Sequence, residues 1–125
     1  MPHHSLPALT LRHVLQAAAA AHPDAPAFSW VAGEPMTYTE VLESARSVAI
    51  LLSEQGIGFG DPVIILAENC PHWGIAYFAV TCMGAVAVPV LPDFHSEAIR
   101  YIIRHSDAKA VFVTEKMFSK VEDAD

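Results

Sequence analysis

From residue 39 onward the chain reads helix, strand, helix, strand, helix, strand with short connections, and this order constrains the fold more than any other feature. The strands are read at 63–67 (VIILA), 85–90 (AVAVPV) and 110–114 (AVFVT). The first shows no polar alternation, which is how a strand covered on both faces reads. Strands that run parallel need crossover connections of a dozen or more residues, usually helices. The order therefore predicts an α/β fold: a parallel sheet with flanking helices and right-handed crossovers. Apolar residues make up 53% of the sequence, high for a soluble domain. A doubly covered sheet explains part of that. Apolar surface normally buried against a missing remainder of a longer chain would explain the rest.

The 125 residues suffice for one modest core. They divide into a lead-in with one helix (1–26), a hairpin (27–38) and the α/β unit (39–125). Thr10 is a plausible N-cap, with Val14, Leu15, Ala18 and Ala21 on one face before Pro23 stops the helix. A strand at 27–31 returns at 36–38 through a turn at 33–35. The clearest helix starts at Thr39, with Glu40 and Glu43 in its first turn. Val41, Leu42, Ala45, Val48, Ala49 and Leu52 repeat at three and four, and Gly56 ends it as a left-handed cap. Cys70 caps a mostly apolar helix that opens on Pro71 and ends at Gly84. The next helix starts at Ser96-Glu97, burying Ala98, Ile99, Ile102 and Ile103 with Arg100 and Arg104 outward. A further helix is expected to open at Glu115, with 120–125 frayed.

Several function classes are disfavoured. The formal charge is −7, from 14 acidic and 7 basic residues, and no Lys or Arg run exists to neutralise phosphates, so no nucleic-acid partner is expected. Cys70 and Cys82 form no CxxC pair and no signal peptide precedes them, so both thiols are expected reduced in a cytoplasmic setting. The longest apolar stretch, 73–92, is broken by Gly74, Gly84 and Pro89 and reads as a helix then a strand, so no integral membrane segment is expected. Seven histidines, His3, His4, His13, His22, His72, His95 and His105, show no metal-ligand spacing, so no metal is expected. His105 reads as a partner of a helix dipole. Gly56-x-Gly58-x-Gly60 follows a helix and precedes a strand, the reverse of a dinucleotide fingerprint, and reads as a cap and turn.

Ligands of open parallel sheets gather outside the carboxyl ends of the strands. That rule nominates the loop holding Glu68 and Asn69 and the loop holding Leu91, Pro92 and Asp93. The plainer reading is that Asn69 and Asp93 only cap and turn the chain. No phosphate loop and no nucleophile triad is present, so no catalytic residue is assigned within these 125 residues.

Four segments carry a resemblance. MTYTEV at 36–41 looks like "(L/M)-T-Y-x-E-L", and LSEQGIGFGDPV at 52–63 is similar to "L-x-x-x-G-(hydrophobic)-x-x-G-D-x-V". AENCPHW at 67–73 resembles the "N-x-P-(E/H)-(W/F)" turn, and CMGAVAVPV at 82–90 looks like "K-x-G-A-x-x-V-P-(hydrophobic)". In this order and spacing they resemble the adenylate-forming superfamily of acyl-CoA synthetases, luciferases and peptide-synthetase adenylation domains, over about residues 27–114. The superfamily often has Lys or Arg where Cys82 stands. The NCPHWGIAY and AVPVLPDF runs look more like fatty acyl-CoA ligases than amino-acid adenylating domains.

The resemblance implies that the chain is the N-terminal piece of a long-chain fatty acid–CoA ligase. The parent would use ATP, Mg2+ and CoA to convert a carboxylate to an acyl-adenylate and then to a thioester. The Thr/Ser/Gly-Lys loop, adenine segment, ribose-binding Asp and mobile C-terminal Lys of the family would lie beyond Asp125, leaving this piece inactive and without bound cofactor. It also implies that the loop after 82–90 approaches the CoA path. That makes Leu91, Pro92 and Asp93, with Asn69, the candidate substrate-proximal residues. Long acyl substrates would favour peripheral membrane contact by the parent. Two other readings stay open: a stand-alone flavodoxin-like binding module, and a homo-oligomer assembled through the apolar surface.

Overall fold

The computed structural model describes residues 10–29 and 33–121. Helix α1 (Leu11–Ala21) precedes a hairpin of β1 (Pro26–Phe28) and β2 (Met36–Thr37). There follow α2 (Tyr38–Glu54), β3 (Pro62–Leu66), α3 (Pro71–Cys82), β4 (Val86–Val90), α4 (Ser96–His105), β5 (Ala110–Val113) and a 3-10 helix (Glu115–Lys120). β1 and β2 pair antiparallel, while β3 pairs parallel with both β4 and β5, giving the order β4-β3-β5. The expected α/β architecture, with its N-terminal helix and hairpin, is thus the observed one.

The first crossover runs from β3 to β4 and the second from β4 back past β3 to β5, in opposite senses, so right-handed connections put α3 and α4 on opposite faces. The packing agrees. Val63 joins Leu52, Ile57, Val80 and Ala85 under α2 and α3, whereas Ile64 and Leu66 join Val90, Ile99 and Met117 under α4. A third cluster of Leu15, Val41, Ala45 and Ala79 fastens α1 and the hairpin to α2 and α3. β3 is buried on both faces, and Val63, Ile64, Ile65 and Leu66 are wholly inaccessible.

Helix ends explain the short connections. Thr37 and Glu40 form a capping box: each side chain accepts a hydrogen bond from the other's backbone amide, both at 3.1 Å. Such a cap contributes about 1 kcal/mol. It starts α2 at Tyr38, one residue before the expected Thr39, so Tyr38 is helical rather than the last residue of the return strand and Glu40 alone lies in the first turn. At the other end, Gly56 takes φ +86°, and the amides of Gly56 and Ile57 reach the carbonyls of Ser53 and Leu52 at 3.0 and 3.1 Å. α3 closes the same way: Gly84 takes φ +82°, and the amides of Gly84 and Ala85 bond Thr81 and Val80. These paired bonds satisfy carbonyls that a helix end otherwise leaves open.

Five further expectations are corrected. α1 buries Leu15 and Ala19 rather than a Val14, Leu15, Ala18, Ala21 face, and Val14 is exposed. The alanine run has no period of its own, so the contact at Leu15 sets the rotation. β1 begins at Pro26, and residues 30–31 of the expected strand lie outside the described residues. β4 is an edge strand rather than a buried one: Val86 is 48% exposed and Pro89 is exposed. Proline suits an edge because it cannot donate to a second neighbour. On α4, Ile99 is buried and Ile102 and Ile103 half-buried, but Ala98 is exposed and Arg100 half-buried. Finally, the segment after β5 is a 3-10 helix, and Lys120 is held by hydrogen bonds rather than frayed. The lead-in residues 6–9, His3, His4 and residues 122–125 lie outside the described residues.

Candidate functional site

In register, Leu66 faces Val90 on one side and Val113 on the other, so the three strands end flush. The loops leaving them therefore meet along one edge of the sheet. After β3 come Ala67, Glu68 and Asn69, with Cys70 as the α3 N-cap and Pro71 its first helical residue. After β4, residues 91–94 form a turn in which the Phe94 amide donates to the Leu91 carbonyl at 3.2 Å. After β5, the Thr114 hydroxyl donates to Glu68 Oε2 at 2.7 Å, tying the exits of β5 and β3 together. At the end of the 3-10 helix, Lys120 Nζ donates to the carbonyls of Pro92 and Phe94, the latter at 3.2 Å.

The four candidate residues thus share one edge but belong to two sub-sites. Asn69 sits at the rim of an open, mainly apolar groove of about 630 Å³ between α3 and the hairpin. Its walls include Phe28, Cys70, Trp73, Tyr77 and Phe78. Trp73 and Tyr77 stack with ring centres 5.3 Å apart, and Phe28 lies 6.1 Å from Phe78. Gly74 makes this approach possible, because a Cβ there would stand 2.7 Å from the Phe28 ring. Leu91, Pro92 and Asp93 do not line that groove. They form the neighbouring turn, with Leu91 and Asp93 exposed and the Pro92 carbonyl held by Lys120.

The Thr114 hydroxyl, then the Glu68 backbone amide, hold the Glu68 carboxyl below its usual value; burial opposes them, and the Lys116 ammonium adds a lesser lowering. A depressed carboxyl pKa means the contact stabilises the fold while Glu68 is ionised. The contribution is complete above the ordinary glutamate pKa and is lost as the pH falls through the lowered one. Thr114→Val is expected to raise the Glu68 pKa and flatten the acid limb of stability. A carboxyl-carbon NMR titration measures this, and an unmoved Glu68 would refute the assignment.

The glycine-rich turn lies at the opposite edge. The Gly58 amide donates to Asp61 Oδ2 at 2.8 Å and the Gly60 amide to the Gly84 carbonyl at 2.9 Å. These donors are already occupied, consistent with a cap and turn rather than a phosphate cradle. Cys82, where relatives of the resembling family often carry a cation, is half-buried. Burial pushes its thiol pKa up, opposed by Arg12 and Arg46, so it stays protonated at neutral pH. His105 lies in the last turn of α4, its Nδ1 3.0 Å from the Tyr101 carbonyl. Among the described residues no group of three or more His, Cys, Asp or Glu side chains could hold a metal ion. No helix of the described residues is long and apolar enough to cross a membrane.

Sequence reasoning named Glu68 only by position and missed Thr114, Lys120 and the groove aromatics. For the groove, the Trp73 and Tyr77 spacing of one helical turn was an available signal.

A family model described as AMP-binding enzyme matches residues 15–125. A long-chain-fatty-acid–CoA ligase from Bacillus subtilis is 30% identical over 121 residues, which are 96% of this chain and 21% of that protein. A 4-coumarate–CoA ligase from Oryza sativa is 31% identical over 114 residues, 90% of this chain and 20% of that protein. The chain therefore spans about a fifth of the length of these relatives. A solved structure from Rhodopseudomonas palustris, described as a long-chain-fatty-acid CoA ligase, superposes with a TM-score of 0.87 at 29% identity, over 96% of this chain and 30% of that one.

Proposed function

The chain belongs to the AMP-binding enzyme family, and from that premise we propose that it forms the N-terminal α/β part of an ATP-dependent fatty acid–CoA ligase. The similarity to the Bacillus subtilis long-chain-fatty-acid–CoA ligase along almost the whole chain carries this reading. In the proposed reaction a carboxylate oxygen attacks the α-phosphorus of ATP and expels pyrophosphate. The CoA thiol, losing its proton, then attacks the acyl carbonyl and expels AMP. Such catalysis consists mainly of positioning reactants and stabilising phosphate charge.

Within these 125 residues, Asn69, Leu91, Pro92 and Asp93 contribute one wall of the CoA path. No residue here is assigned to the α-phosphate, to Mg2+ or to acyl transfer, and residues 1–125 alone do not turn over. Two unpaired thiols suit a cytoplasmic setting, with the parent touching membrane only peripherally as it takes long acyl substrates.

The test is pyrophosphate release by the full polypeptide carrying this segment. Release should require a long-chain fatty acid, and AMP release should then require CoA. Dependence on an amino acid instead would overturn the substrate class. Residues 1–125 alone should give only background release, and turnover by them would overturn their inactivity.

A further inference from the structure

The 3-10 helix is attached at three points. Thr114, its N-cap, bonds Glu68 at the exit of β3. Met117, in its middle, is buried with Ile99 and Leu66. Lys120, its last residue, bonds two carbonyls of the turn after β4. A short helix so placed is a strap across the carboxyl edge of the sheet, joining the exit of β5 to those of β3 and β4.

Lys120 is the one cation on this strap that reaches across to the 91–94 turn. An ammonium offers three donors and no acceptor, and it is the right chemistry for gathering carbonyl oxygens that would otherwise scatter. The Phe94 amide already closes the turn on the Leu91 carbonyl. With the Pro92 and Phe94 carbonyls drawn toward Lys120, the turn's backbone acceptors face the strap. The side chains of Leu91 and Asp93 are left on the exposed side.

We propose that Lys120 is a positioning residue for the 91–94 turn, fixing the face that Leu91 and Asp93 present to CoA. The ligand in this statement rests on the reading of the parent as a CoA ligase. The clamp itself does not. A lysine that merely tied down the end of its own helix would protect residues 115–120 and leave the turn unaffected when removed.

The experiment compares Lys120→Met, which keeps the stem and removes the donors, with Lys120→Arg, which restores them, in the full polypeptide. Hydrogen exchange of the Phe94 amide should quicken at least tenfold in Lys120→Met and recover in Lys120→Arg. The β3 amides, unchanged, serve as the control for folding. The KM for CoA should rise at least fivefold in Lys120→Met, while fatty-acid-dependent pyrophosphate exchange, measured without CoA, stays at its original rate. Unchanged Phe94 exchange would overturn the clamp. Faster exchange with an unmoved KM for CoA would overturn its role toward CoA. A polypeptide with no ligase activity would sink the functional reading, and the Phe94 exchange would still decide the clamp.

Discussion

Replacing Ile64 with alanine is expected to destabilise the chain by about 3–5 kcal/mol, the cost of a large-to-small change at a site that cannot collapse. Ile64 is fully buried on the central strand, bonded on both sides through the backbone and packed against Leu66, Val90, Ile99 and Met117. Its neighbours are fixed by sheet register on one side and by α4 on the other, so the void left by the missing carbons stays. Against a typical total of about 5–15 kcal/mol the loss is a large share. Urea denaturation measures it as a lowered midpoint with an unchanged slope. Ile50→Ala is the control: that side chain is 60% exposed on α2, and its loss should stay within about 0.5 kcal/mol. A cost for Ile64→Ala near that of Ile50→Ala would contradict the placement of β3 at the centre.

The second large effect is expected at Gly84. Valine there should cost about 2–3 kcal/mol, most of it from the backbone, because φ +82° is a region that β-branched residues rarely adopt. A Cβ would also stand 2.6 Å from Phe59 Cδ2. The Phe59 ring is 90% exposed and can swing aside, so this contact adds little. What cannot move is the pair of hydrogen bonds closing α3, together with the bond from the Gly60 amide to the Gly84 carbonyl. Gly58→Ala is the control that has neither cause. Its φ is ordinary and nothing lies within 4 Å of an added Cβ, so it should be close to neutral. Thermal unfolding of the two variants gives the comparison. Equal melting temperatures would show that the left-handed turn is not required.

The elements whose ends are written locally were legible in the sequence. β3 was placed within one residue because Val63, Ile64, Ile65 and Leu66 form an unbroken apolar run between a turn and a helix cap. Pro71 marked the first residue of α3, and Gly56 marked the end of α2. Where the pattern was ambiguous the structure decided. Alanines at 17–21 suit any helix face, so the buried side of α1 was set by its neighbours. The β4 run is apolar throughout, and only strand order shows that Val86 lies at an edge. Of the candidate site, position nominated one edge of the sheet, because strand polarity follows from the order of elements. The bonds that organise that edge were hidden: Thr114 meets Glu68 from 46 residues away, and Lys120 meets Pro92 from 28. No periodicity or cap rule records such a pairing. The groove was hidden for the same reason, since Phe28 comes to α3 from the hairpin.

The central position of β3 also sets an order of events during synthesis. Within the parallel sheet, the strand that both others pair with is made first, and its partners arrive on one side and then the other. Once Val90 has left the ribosome, β3, α3 and β4 can close as a unit, yet the face of β3 carrying Ile64 and Leu66 still lacks α4, and its far edge lacks β5. At about 5–20 residues per second, the stretch from Val90 to Val113 takes on the order of one to five seconds to make. For that interval the nascent chain exposes its most apolar strand along an unpaired edge. That is the surface a ribosome-associated chaperone would meet.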